Sequence, residues 1–205
     1  MVVPAVLDWA RRLQAIAQTG VAYEEPSVHD RERYEQVRHI AAEMLASNGD
    51  VDAIDARLAA EEGHATPKLD VRGAVFRDRE ILLVHERAGW SLPGGWADVG
   101  ETPAEATVRE VLEESGYETR AIKLIALLDR DRQGYPPHVW HIWKAIFLCE
   151  LTGEEQGELG SETRDARFFA RESLPEPLRV NVSTRRLIER CFDHYEHPEW
   201  PADFD

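Results

Sequence analysis

Cysteine is scarce. Cys149 and Cys191 are the only two in 205 residues, too few for a disulfide framework, and nothing beside either looks like a metal-ligand pair. A reducing, cytoplasmic setting is therefore expected. Positive charge is also short: 24 basic residues face 39 acidic ones, a formal net charge of -15. Such a surface repels polyanions, so no stable nucleic-acid partner is expected. A small anionic ligand remains compatible where a divalent cation supplies positive charge locally. Long apolar runs are missing too. None approaches the roughly 18 residues that a membrane span needs. The apolar stretch at the start is cut by Asp8 and has no basic leader, so neither a membrane partner nor a secretory signal is expected. What is there, 43% apolar and 31% charged residues, excludes a disordered, collagenous or low-complexity chain. The length fits one large domain, or a compact domain with a small helper.

The pattern divides near residue 66. Before it, only helical periodicity is found. Trp9, Leu13 and Ile16 recur at i, i+4 and i+7, which predicts an amphipathic helix stopping near Gly20. A second helix is expected after Asp30 as N-cap, with Tyr34, Val37, Ala41, Met44 and Leu45 on one face. A third has Val51, Ile54 and Leu58 as its stripe. Three short helices bury little surface alone, so they need a partner, either the rest of the chain or another subunit. After residue 66 come short apolar runs. Residues 71–76 and 81–85 are split by the charged turn Arg77–Glu80 and suggest a hairpin. Residues 121–128 and 139–149 read as longer strands, Phe168-Phe169 as another, and Ser183–Tyr195 as a closing helix. The fold class is α/β (α+β), an α/β/α sandwich over residues 67–205 preceded by a small all-α domain over residues 1–66.

One window carries chemistry. It runs from Gly95 through Glu101 to Arg109-Glu110-Val111-Leu112-Glu113-Glu114-Ser115-Gly116-Tyr117. Thr102 and Glu105 form a capping box, Pro103 occupies the first helical position and Gly116 supplies the stop. Between these signals Glu110, Glu113 and Glu114 stand at i, i+3 and i+4, on one helical face. Like charges so placed repel, and hard divalent cations such as Mg²⁺ would neutralise them. Arg109 can reach back to Glu101 and hold the preceding loop on the helix. The carboxylate trio alone also fits an ordinary exposed acidic helix.

The complete pattern, Gly-x5-Glu-x7-Arg-Glu-U-x-Glu-Glu-x-Gly-U with U a bulky aliphatic residue, resembles the Nudix box. All seven fixed identities are present, and at roughly 7% usage per residue type a chance match in one window is on the order of 10⁻⁸. Tyr117 stands where the family usually has an aliphatic residue, a departure expected to affect packing at the helix end. The resemblance implies cleavage of a nucleoside diphosphate linked to another moiety, with Mg²⁺ or Mn²⁺ as cofactor. It implies metal ligation by the Gly94 carbonyl, Glu110 and Glu114, with Glu113 a ligand or a base for water. Arg109 and Glu101 orient. Glu162 stands at a spacing similar to that of a further family glutamate; it reads equally as one of several acidic residues in a solvated loop. The N-terminal helices, residues 91–100 and the terminal Pro201–Asp205 resemble one Nudix branch, which includes CDP-choline pyrophosphatases and members labelled ADP-ribose pyrophosphatases.

Substrate selection is expected from residues 129–141, whose charge, aromatics and paired prolines suit a loop over a pocket. Tyr135 or His138 would stack on a base or bond a head group, the alternative being ordinary packing in a hairpin turn. Trp90 and Trp96 flank the metal loop as core or stacking platform, and Arg87 precedes it as a phosphate contact or a surface ion pair. CDP-choline-type conjugates are the expected substrates; ADP-ribose, dinucleoside polyphosphates, an exposed RNA end, or non-catalytic nucleotide sensing are the alternatives. Related enzymes are commonly dimers. A homodimer through the N-terminal stripes would bring Gln14, Gln18 or Tyr23 towards the partner's site.

Overall fold

The computed structural model describes residues 4–23, 26–46, 49–86, 88–153 and 155–205. Five helices are found among them: α1 (Ala5–Tyr23), α2 (Val28–Ala46), α3 (Val51–Ala59), α4 (Pro103–Ser115) and α5 (Arg185–Glu196). The strands are β1 (Lys68–Arg77), β2 (Glu80–Glu86), β3 (Gly89–Ser91), β4 (Thr119–Asp129), β5 (Ile142–Leu151), β6 (Asp165–Phe169) and β7 (Asp203–Phe204). Packing divides the chain into a helical unit, residues 1–68 with 137–141, and a sheet unit, residues 69–136 with 142–205.

The expected hairpin is β1–β2, closed by Asp78 and Arg79 at φ of 49° and 67°, the left-handed pair a tight two-residue turn requires. The sheet is mixed, in the order β3-β2-β1-β5-β4-β7, with β6 also on β2. Alternation along β1 sends Val71 and Val75 to one face and Ala74 and Phe76 to the other. The first pair joins Leu82, Val84, Ala106, Val111 and Tyr117, so α4 covers that face. The second pair joins Ile81, Leu83, Ile146, Leu187, Ile188 and Phe192 under α5. Each such buried aliphatic contributes about 1.5–3 kcal/mol of hydrophobic burial. The result is an α/β/α sandwich. Helix α4 starts and stops where its sequence signals lie: Thr102 and Glu105 exchange both capping-box bonds, and Gly116 closes the helix at φ 73°. It lies directly on β1, since a Cβ at Gly73 would come within 2.4 Å of Val111 Cγ2. Tyr117 packs edge-on against Phe168 at 5.4 Å, with Arg77 over its ring.

In the helical unit three expectations are corrected. Helix α1 runs past Gly20 to Tyr23 because the Tyr34 ring fills the place of a side chain there; a Cβ would lie 2.3 Å from it. Its buried residues are Ala10, Gln14 and Ala17, while Trp9 and Ile16 are 53% and 59% exposed. Small residues let α2 approach closely, and Trp9 and Ile16 are turned outward. Helix α2 begins at Val28, ahead of Asp30. Ser27 Oγ accepts the Asp30 N–H at 3.2 Å and donates to its carboxylate at 2.7 Å, so Asp30 lies in the first turn. The strand expected from Val139 begins at Ile142 instead, because residues 137–141 pack with the helices.

Candidate active site

Two short segments build the site in the sheet unit: the loop 93–101 and the face of α4. The loop is fastened to β1 by Val71 N–H to Gly95 O at 2.8 Å and Gly73 N–H to Pro93 O at 2.9 Å. Both glycines are needed for this approach. A Cβ at Gly94 (φ 141°) would strike Val71 O at 2.1 Å, and one at Gly95 would sit 2.7 Å from the Glu110 carboxylate. The Gly94 N–H donates to Glu114 Oε2 at 2.9 Å, which ties the loop to the helix.

Arg109 organises the carboxylates. Its Nε and Nη2 take Glu101 bidentately at 2.8 and 3.0 Å, while Nη1 donates to Glu110 Oε1 at 2.9 Å and to Glu113 Oε2 at 3.1 Å. One guanidinium thus orients three carboxylates. It holds Glu101 below the usual carboxylate range. Glu114 behaves oppositely: burial pushes its carboxyl up to about 7, against the Arg72 charge and the Gly94 hydrogen bond. The donors gathered here are carboxylates, hard oxygen ligands suited to a hard divalent cation. The cradle at Gly95 leaves the Glu110 carboxylate unobstructed on the side where a Cβ would sit. The residues fit such an ion.

Residues 66–191 match the NUDIX domain family. The chain belongs to the Nudix family. Residues 4–58 match a second family, the UDP-X-like, N-terminal oligomerisation domain. A Bacillus subtilis (strain 168) protein provisionally named ADP-ribose pyrophosphatase YjhB is 44% identical over 203 residues, covering 97% of this chain and 96% of its own. Among solved structures, a UDP-X diphosphatase is 30% identical at TM-score 0.62, with 100% of both chains covered. An ADP-ribose pyrophosphatase from Streptococcus suis 89-1591 is 38% identical at TM-score 0.62, over 68% of this chain and 100% of that one. This Nudix chain is a hydrolase of diphosphate bonds.

The Nudix loop and helix bring together Gly94, Glu101, Arg109, Glu110, Glu113 and Glu114. Trp96 is about half exposed and its carbonyl lies 3.5 Å from Arg109 Nη2, whereas Trp90 packs into the core against Phe169. Glu162 is exposed in the turn after Gly160, and Gly160 abuts the Glu113 carbonyl, where a Cβ would come within 2.4 Å. Tyr135, read as either a substrate contact or ordinary packing, is buried at 4% exposure. Its ring lies between Arg130 at 5.1 Å and Lys144 at 5.3 Å, and burial pushes its phenol up to about 12. His138 belongs to the helical unit, where Nδ1 accepts the Trp140 N–H at 3.1 Å. Tyr23, also there, is 71% exposed and edges against His64. Gln14 and Gln18 turn inward within that unit, donating to Leu58 O and to Glu62 O and Gly63 O. Arg87 lies outside the described residues.

Sequence reading missed a buried ionic cluster beside the box. Arg72 Nε and Nη2 bond Asp70 Oδ1 at 2.9 and 2.6 Å, Nη1 bonds Leu92 O at 3.2 Å, and Lys144, only 1% exposed, contacts the other Asp70 oxygen. Burial works to push the Lys144 ammonium down, against the adjoining Asp70 carboxylate. Burial pushes the Arg72 guanidinium down, and the charges of Glu114, Tyr135, Glu110 and Glu86 act against it. Glu86 itself is paired with Arg179. A signal existed: Asp70 and Arg72 stand at i and i+2 of an apolar strand, and one alternation therefore places both on the same covered face.

Proposed function

We propose that the protein is a Mg²⁺-dependent pyrophosphohydrolase acting on nucleoside diphosphates linked to a second moiety, with CDP-choline-type or other pyrimidine nucleoside diphosphate conjugates as preferred substrates. The carrying observation is the Arg109–Glu101–Glu110–Glu113 constellation with Glu114 tied to the Gly94 N–H. Glu110, Glu114 and the Gly94 carbonyl would hold Mg²⁺, with Mn²⁺ as a substitute; when bound, the ion polarises water and offsets charge developing on the phosphoryl oxygens.

The chain's own residues supply orientation and proton transfer. Arg109 fixes Glu110 and Glu113 relative to each other, which removes reorganisation at the moment of reaction. Glu113, whose side chain is 59% exposed, or Glu162 takes the proton of the attacking water. Arg72 places a positive charge behind Glu114 that offsets repulsion among the carboxylates. The pyrimidine preference is supported by the likeness to a UDP-X diphosphatase along the full chain. The Bacillus subtilis relative supports ADP-ribose as the second reading. We further propose a homodimer through α1, where Trp9, Ile16 and Tyr23 form an exposed stripe at seven-residue spacing.

A hydrolysis panel with CDP-choline, a UDP-sugar, ADP-ribose, NADH, a diadenosine polyphosphate and a short RNA, with and without Mg²⁺, tests this. The expected result is Mg²⁺-dependent turnover with the highest kcat/KM on a pyrimidine conjugate. A clear preference for ADP-ribose would transfer the assignment to the second reading, and turnover insensitive to chelation would overturn the site.

A further inference from the structure

Strand β3 ends at Ser91, which pairs with Val84. The next residue, Leu92, lies beyond the ladder and is fully buried. A buried backbone N–H and C=O both need partners, and here two side chains supply them. Ser183, itself fully buried just before α5, accepts the Leu92 N–H through Oγ at 3.1 Å. Arg72 of β1 donates from Nη1 to Leu92 O at 3.2 Å. Further along, β1 takes over with its own backbone: Gly73 N–H meets Pro93 O at 2.9 Å and Val71 N–H meets Gly95 O at 2.8 Å. Between these two fastenings stands Gly94, whose N–H goes to the Glu114 carboxylate at 2.9 Å. Pro93, with φ fixed at about -65°, is all that separates it from Leu92.

Charge counting gives Arg72 a task beyond neutrality. Asp70 lies between two buried cations: Oδ1 takes Arg72 Nε and Nη2 at 2.9 and 2.6 Å, and Oδ2 contacts Lys144 Nζ. Lys144 alone balances that one carboxylate. A second buried cation is costly, and burial does push the Arg72 guanidinium down. The planar fork does what an ammonium cannot. Nε and Nη2 lock onto Asp70 while Nη1 reaches Leu92 O, so the guanidinium plane is fixed at one edge and holds the loop with the other.

We propose that Arg72 is a positioning residue for the hydrolysis: with Ser183 it grips both backbone groups of Leu92 and thereby holds Gly94 in register with Glu114. Asp70 and Lys144 serve to aim it. The inference rests on the hydrolase reading above, and every residue it uses belongs to the sheet unit. Arg72→Met, Arg72→Lys and Ser183→Ala proteins test it. The measurements are urea unfolding, amide hydrogen exchange, binding of Mn²⁺ without substrate (free ion counted by electron paramagnetic resonance) and kinetics on the best substrate of the panel. Arg72→Met leaves Asp70 and Lys144 as a neutral pair, so relief of a buried charge opposes loss of the Leu92 bond. The urea midpoint in chelator should therefore stay within about 0.5 M. Exchange should quicken at Leu92 and Gly94 but not across α4. Mn²⁺ affinity and kcat should each fall about tenfold, with KM within about twofold, because a misplaced loop is felt in the transition state. Arg72→Lys, which keeps the cation without the fork, should recover part of both losses. Ser183→Ala leaves the ionic cluster intact and should show the same pattern at about two- to threefold.

Unchanged exchange at Leu92 and Gly94 would overturn the grip. Faster exchange with normal Mn²⁺ affinity and kcat would overturn its role in the reaction, as would a rise in KM at constant kcat. If Arg72→Met does not fold, Ser183→Ala decides alone: the local pattern supports the grip, and unaltered exchange or kcat overturns it. If the unaltered protein hydrolyses nothing in the panel, the function reading fails by itself, and exchange with Mn²⁺ affinity decides the Arg72 proposal.

Discussion

Helix α4 starts and stops where its own neighbourhood in sequence signals, whereas α1 runs past its expected stop, turns Trp9 and Ile16 outward and buries Ala10, Gln14 and Ala17. The contrast lies in where each helix finds its partners. The ends of α4 are written by Thr102, Glu105 and Gly116, and its principal ionic partner, Glu101, is eight residues from Arg109. In α1, Gln14 bonds Leu58, Gly20 receives Tyr34, and Arg11 reaches residues 138–140. A helix whose determinants are local can be read from a window; one whose determinants are distant cannot, because apolar residues alone do not say which face meets what.

The largest effect is expected where local determinants and chemistry coincide. Glu114→Gln keeps shape and an acceptor for the Gly94 N–H but removes the charge. We expect kcat/KM to fall about a thousandfold, roughly 4 kcal/mol of transition-state stabilisation. The folded content by circular dichroism should be unchanged. A folded variant with normal turnover would remove Glu114 from the site.

Two glycines sharpen the contrast. Gly95→Ala places a methyl 2.7 Å from the Glu110 carboxylate, so kcat/KM is expected to drop about tenfold to a hundredfold, through a displaced Glu110 carboxylate. Gly20→Ala drives a methyl into the Tyr34 ring and is expected to destabilise the helical unit by about 1–3 kcal/mol. Its kcat should stay within about twofold, since no box residue is touched. Urea unfolding and steady-state kinetics on both variants separate the two outcomes; a Gly20→Ala protein of undiminished stability would mean that α1 and α2 do not meet at that point.

These cases also define what was legible. The α/β/α sandwich, the capping box and the Arg109–Glu101 clamp are encoded by strand alternation and short-range spacing, so residues 67–205 announced their architecture. The Asp70–Arg72–Lys144 cluster was obscured because its members come from β1 and β5, 72 residues apart between Arg72 and Lys144, and the pairing of those strands is visible only in three dimensions. For Tyr135 the sequence left ligand stacking and ordinary packing both open, and the fold shows it buried, with Arg130 and Lys144 against its ring.

A pH experiment probes the buried side of α4. Glu114 has its carboxyl raised from 4.5 to about 7 by burial, so the folded protein without metal binds a proton there more tightly than the unfolded chain. Its contribution to stability is fully present below about 4.5 and is lost as pH rises through about 7. In chelator, stability of the unaltered protein minus that of Glu114→Gln should therefore decline across this window. Stabilisation by added Mg²⁺ should grow over the same range, because the ion competes with the proton. A difference that is flat with pH would mean that Glu114 is ionised in the folded protein throughout.

The smallest effect on folding is expected on the outward stripe of α1. Trp9 and Ile16 are more than half exposed, and a surface substitution away from packed groups changes stability by no more than about 0.5 kcal/mol. Trp9→Ser with Ile16→Ser should therefore leave urea unfolding of a dilute sample nearly unaltered. The same pair should weaken self-association measured by sedimentation, because a seven-residue stripe of bulky apolar side chains gains by being covered and a two-fold axis lets two copies cover each other. Association that survives the double substitution would place the interface elsewhere. Loss of folding stability by several kcal/mol would show instead that these side chains are packed within the chain, and would erase the contrast between α1 and α4.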